Sequence, residues 1–114
     1  PWEAVRAALL ALRQGEDASS DATALALGRM LQSSPTLRAR HLEKQLAWRE
    51  LLVPELAARL RATGVSDPAA QRRATAIIAT AVVCLDTASE AWLALDGAAS
   101  LEDLWDEAVA AVRD

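Results

Sequence analysis

The sequence has no phenylalanine and no tyrosine, and only one cysteine, one histidine and one methionine. A lone Cys84 can form no intrachain disulfide, and its apolar neighbours suit a reduced, cytoplasmic compartment. A single His41, with Arg38 three residues before it, rules out the Glu-x-x-His pairs from which helical bundles build di-iron centres. No G-x-S-x-G, P-loop, G-x-G-x-x-G, H-E-x-x-H or paired-cysteine motif occurs, so the usual nucleophile elbows, phosphate cradles and zinc sites are missing. No catalytic residue, metal site or cofactor is expected. Long hydrophobic runs are missing as well. The longest uncharged stretch, Ala74 to Leu85, has 12 residues, against the roughly 20 needed to cross a bilayer. Neither a membrane helix nor a signal peptide is expected. Basic charge is also scarce: the net charge is -4, and no basic stripe lies on a recognisable reading helix, which argues against a stand-alone nucleic-acid binder.

What the chain does have is alanine and leucine. Hydrophobic residues make up 53% of its 114 positions, β-branched residues are few, and the aromatics are Trp2, Trp48, Trp92 and Trp105. One domain of all-α class follows. Arginine outnumbers lysine eleven to one, a composition that points to a high-GC bacterial source.

Punctuation and periodicity place five helices. The first spans about Trp2 to Arg13, with Trp2, Val5, Leu9 and Leu12 on one stripe, and residues 14–20 read as a polar loop. Ser20 or Asp21 caps a second helix that runs to about Gln32 and buries Leu25, Leu27, Met30 and Leu31. Ser33-Ser34-Pro35 ends it. The third, about Thr36 to Thr63, shows two stripes: Leu42, Leu46, Val53, Leu56 and Leu60 on one, His41, Trp48 and Leu52 on the other. Pro54 should kink this helix rather than break it, since Val53 is a poor N-cap, and Gly64 stops it. Ser66-Asp67-Pro68 opens the fourth helix with a capping side chain, and Asp96-Gly97 closes it. Ser100 with Asp103 resembles a capping box and starts the fifth.

The run Ala74 to Leu85 is apolar nearly all round. A helix of that kind must be covered on several sides, and a chain this short has few helices to do so. A second copy is the simplest supply. A homodimer is expected through the fourth and fifth helices, with Ala81, Leu85, Trp92, Leu101, Leu104, Trp105, Ala108 and Val112 at the interface.

The same middle helices are candidates to enclose a small apolar effector. His41, Gln45 and Trp48 share a face that could orient a ligand, and Met30, Leu52, Thr80 and Cys84 would complete its walls. Thr75, Thr80 and Thr87 have two open readings, lining that cavity or bonding back to their own helix carbonyls. Asp86 and Glu90, at i and i+4, read better as a polar exit face or partners of an arginine than as ligand contacts. Arg38, Arg40, Lys44 and Arg49 read better as a solvated face than as an anion site.

With the helices placed, the chain resembles the C-terminal regulatory domain of TetR-family transcriptional repressors. It is most similar to the subgroup with an acyl-CoA-like ligand-binding domain that includes the mycofactocin-system regulators. The resemblance rests on residues 34–40 (Ser-Pro-Thr-Leu-Arg-Ala-Arg), Trp48 followed by residues 56–60, Ala91-Trp92-Leu93, and residues 101–104. It implies a homodimer joined by its last two helices and an apolar, acyl-CoA- or fatty-acid-like effector among the middle ones; the alternative reading is a structural helical dimerisation domain with a packed core and no ligand. DNA would be bound through a three-helix N-terminal module, and the 114 residues from Pro1 onward are not expected to contain it.

Overall fold

The computed structural model describes residues 1–16 and 21–113, with side chains for residues 1–12 and 22–113. Among the described residues the architecture is all α: α1 (Trp2–Glu16), α2 (Asp21–Ser33), α3 (Pro35–Ala62), α4 (Asp67–Ala94) and α5 (Leu101–Arg113). α1 runs past the expected end at Arg13, so residues 14–16 are helical rather than loop. The expected cap at Ser20 lies outside the described residues.

Local chemistry sets the other boundaries. Ser34 Oγ accepts the Leu37 N–H at 3.3 Å and Pro35 fills the first turn, where its missing N–H leaves nothing unpaired. α3 continues unbroken through Pro54. It ends in a Schellman turn: Val65 N–H donates to Leu60 O at 3.1 Å and Gly64 N–H to Arg61 O at 3.0 Å, with Gly64 at φ +98°, a conformation cheap only for glycine. α4 closes in the same way, Gly97 N–H donating to Trp92 O at 2.9 Å and Asp96 N–H to Leu93 O at 3.1 Å. Ser66 precedes α4 as expected, but its side chain makes no capping bond; Pro68 and Asp67 alone mark the start. At α5, Ser100 Oγ accepts the Asp103 N–H at 3.0 Å.

α4 is the central helix and touches the other four, α3 and α5 most extensively. Alanines at 70, 74, 81 and 88 are buried along α4, and their small size lets neighbouring helices of the same chain approach closely on that side, while Thr75, Ala76 and Val83 stay exposed. The placing of the interface residues changes accordingly. Ala81, Leu85, Trp92 and Trp105 lie inside the chain's own core, and the Trp105 indole donates to the Ala81 carbonyl at 3.1 Å. Leu101, Leu104 and Ala108 pack half-buried against that core, while Val112 is exposed. By length and composition α4 could cross a bilayer, more than its uncharged run suggested; the core helix of a bundle has the same character, and α4 contacts all four other helices.

α3 uses its two stripes in succession. Along its first half the inward residues are Gln45 and Trp48, and along its second half Val53, Leu56 and Ala57. Leu42 and Leu46, expected to share a buried stripe with Val53, are therefore more than half exposed. In α2, Met30 faces outward and Leu27 is about half exposed, so neither is part of the core.

α3 and α4 have 28 residues each, about 42 Å at 1.5 Å per residue, and they set the 45 Å long axis. The accessible surface is 6996 Å², against roughly 6,100 Å² for a compact monomer of this mass. Arg6 clasps α1 to α5 through Asp106, at 2.8 and 3.2 Å, and Arg29 pairs with Asp96 to hold α2 against the end of α4.

Candidate ligand cavity

A half-open cavity of about 430 Å³ lies between α2, α3 and α4, within the range usual for small-molecule sites. α2 contributes Ala24, Leu27, Leu31 and Gln32, and α3 and α4 add the apolar Trp48, Leu85, Trp92 and Leu93. Gly28 permits the close approach of α2: a Cβ there would fall 2.7 Å from Leu93 Cδ2. The polar wall consists of His41 and Gln45 from α3 and Asp86, Ser89 and Glu90 from α4, with Arg38 and Lys44 exposed.

Gln45 organises the polar wall. It is 4% exposed and donates from Nε2 to Asp86 Oδ1, across from α3 to α4. Because a carboxylate only accepts, the amide must present its nitrogen there. That nitrogen also lies 3.1 Å from His41 Nε2, so the imidazole accepts at Nε2 and carries its proton on Nδ1. His41 Nε2 stands 3.8 Å from Asp86 Oδ1, and its ring meets Trp48 edge-on with centroids 6.3 Å apart.

Of the residues expected to form the site, the structure brings together His41, Gln45 and Trp48 on the cavity wall. Four do not line it. Met30 points outward, 53% exposed, because the helical turn of α2 that faces α4 is the one carrying Gly28. Leu52 packs against the core one turn beyond Trp48. Thr80 donates back to Ala76 O at 2.7 Å, and Thr75 and Thr87 likewise bond to their own helix, which settles the two readings of those hydroxyls. Cys84 is buried in the core, where desolvation pushes its thiol up.

Asp86 and Glu90 are the residues sequence reasoning undervalued. Both line the cavity, and Asp86 is bonded to Gln45 rather than paired with an arginine. The signal was their i, i+4 spacing beside Leu85, Ser89 and Trp92, which continues one face. Arg38 and Lys44 reach the cavity as well, while Arg40 is exposed and the Arg49 Nε is buried without a hydrogen-bond partner. No metal-ligand cluster occurs among the described residues.

A helical bundle with a cavity of this size and mixed lining between its middle helices has the form of a small-molecule site. The family model described as the MftR C-terminal domain, a TetR-type C-terminal domain, matches residues 1–114. The chain belongs to that family, whose members are ligand-binding and dimerisation domains of transcription regulators. Comparison with curated proteins and with solved structures finds no match.

Proposed function

We propose that this chain is the effector-sensing and dimerisation domain of a cytoplasmic TetR-type repressor, and that it binds an apolar, acyl-CoA-like molecule between α2, α3 and α4. The observation that carries this reading is the cavity itself: lined by apolar and by hydrogen-bonding side chains, it can hold a hydrocarbon chain and orient one polar end. Each methylene moved from water into it contributes about 0.8 kcal/mol. Arg38 and Lys44 on the exposed side suit the phosphates of a bulky anionic tail.

An occupant would favour one spacing of α3 and α4, which the Gln45 to Asp86 bond now joins. In a regulator that shift in population would alter the separation of DNA-binding modules carried by a separate N-terminal segment. Dimerisation uses the outward side of α4 and α5, where Ala76, Thr80, Val83 and Thr87 form an uncharged strip and Leu104, Ala108 and Val112 remain at least partly exposed.

Titration with acyl-CoAs of increasing chain length tests the reading. Binding should raise the melting temperature by linkage and change tryptophan emission, and Trp48→Ala should weaken the response more than Trp2→Ala. Absence of any response, with a packed cavity in a crystal, would make this a purely structural dimerisation domain.

A further inference from the structure

We infer that the polar wall of the cavity selects the head group of its occupant, admitting a hydrogen-bond donor, neutral or cationic, and refusing a free carboxylate. This rests on the effector reading and specifies it.

The inference comes from what remains unpaired after the internal bonds are made. Gln45 is almost wholly buried, and its amide nitrogen is committed to Asp86 and His41. Its carbonyl oxygen has no hydrogen-bond partner among the described residues, yet it is not sealed off from the cavity that Gln45 lines. Asp86 accepts that one hydrogen bond through Oδ1, leaving Oδ2 able to accept another. Glu90, one turn further along the same wall, makes no ion pair or hydrogen bond among the described residues. Three acceptors, two of them carboxylates, thus border one stretch of cavity. A hydroxyl, an amide N–H or an ammonium group placed there satisfies them. A carboxylate placed there sets a third negative charge beside Asp86 and Glu90 and offers no donor to the Gln45 oxygen.

The cationic groups do not reverse this preference. Arg38 and Lys44 lie on the exposed side, where water and salt screen them, and Lys44 is already engaged in an interaction. They suit a polyanionic tail outside the cavity, not a carboxylate beside Asp86. A chain joined through an amide or alcohol linkage satisfies both regions at once; a free acid satisfies neither the Gln45 oxygen nor Asp86. Asp86 and Glu90 are accordingly specificity-determining residues.

Decylamine, decanol and decanoate, titrated below micelle-forming concentrations at pH 7 and read by calorimetry and tryptophan emission, test the inference. Decanol and decylamine should each bind at least tenfold more tightly than decanoate. In Asp86→Asn with Glu90→Gln, decanoate should tighten and decylamine weaken until the spread falls below threefold. Asparagine retains an acceptor for Gln45, and Glu90→Gln alone, at an exposed position, should shift the preference in the same direction if the double variant folds poorly. Decanoate binding as tightly as decanol, or a spread unchanged by the substitutions, overturns the selection by charge while leaving the effector reading intact. Failure of all three compounds to bind overturns both.

Discussion

At the scale of single residues, Gln45 and Cys84 show how burial assigns opposite roles to groups on neighbouring helices. Gln45 is buried because it has partners, and replacing it with methionine keeps the volume but removes the donor shared by Asp86 and His41. Gln45→Met should cost about 1–3 kcal/mol in urea unfolding, and a loss below about 0.5 kcal/mol would show that water replaces the amide at no expense. Cys84 is buried as a small apolar group, and desolvation raises its pKa above the ordinary thiol value. The unfolded chain therefore releases this proton first as pH rises. The stability contributed by keeping the thiol neutral is complete below about pH 8.5 and is lost as pH climbs through the folded-state value. Wild type should lose stability relative to Cys84→Ala between pH 8 and pH 10, and parallel pH profiles would contradict this. The part of the site legible in the sequence was the His41, Gln45 and Trp48 face, because 3.6-residue periodicity places those three together whatever surrounds them. The place of the α4 carboxylates was not legible, because periodicity gives a face but not its neighbour: that Asp86 and Glu90 border the cavity depends on how the helices cross.

At the scale of elements, the existence of all five helices was legible in the sequence, although α1 runs past its expected end at Arg13. Ser34-Pro35, Gly64, Asp96-Gly97 and Ser100 each supply or relieve a backbone group that the helix cannot satisfy itself, and such local chemistry survives any tertiary arrangement. The Ser66 side chain is the exception, since the proline two residues on starts α4 without it. Tertiary packing was less legible. Two stripes on α3 could not be ranked because the helix uses one in each half, and Leu27 and Met30 looked like core residues because nothing in α2 alone shows that only its Gly28 face meets α4. That contact offers a test. In Gly28→Ala the new methyl group meets the mobile end of Leu93, while helix propensity improves by about 1 kcal/mol. These effects oppose each other, so the melting temperature should change little, but displacement of Leu93 and α2 should weaken binding of an apolar ligand at least threefold. A large loss of stability would mean that α2 cannot yield, and unchanged affinity would place the ligand away from α2.

At the scale of the whole molecule, the all-round apolar character of α4 led to the expectation of a dimer. Part of that surface is covered by α1, α2, α3 and α5 of the same chain, and the surface proposed for a partner is the outward strip of α4 and α5. Leu104→Glu would strain the fold as well as the interface, because Leu104 packs on the core; Val83, 55% exposed, separates the two effects. Burying one unpaired charge at an apolar contact costs several kcal/mol, so Val83→Glu should sediment as a helical monomer where wild type is a dimer. A dimer unaffected by that substitution would put the interface elsewhere. The central claim is that a small apolar molecule lodges between α2, α3 and α4, and the four tryptophan indole N–H resonances report on it most directly. Trp48 and Trp92 line the cavity, whereas Trp105 is tied to the Ala81 carbonyl in the core and Trp2 lies on α1 under the Arg113 guanidinium, 5.8 Å from its ring. Titration of the ¹⁵N-labelled chain with an apolar ligand such as decanol should move the Trp48 and Trp92 signals and leave those of Trp2 and Trp105 in place. Movement confined to Trp2 or Trp105, or no movement at saturating ligand, would contradict the account.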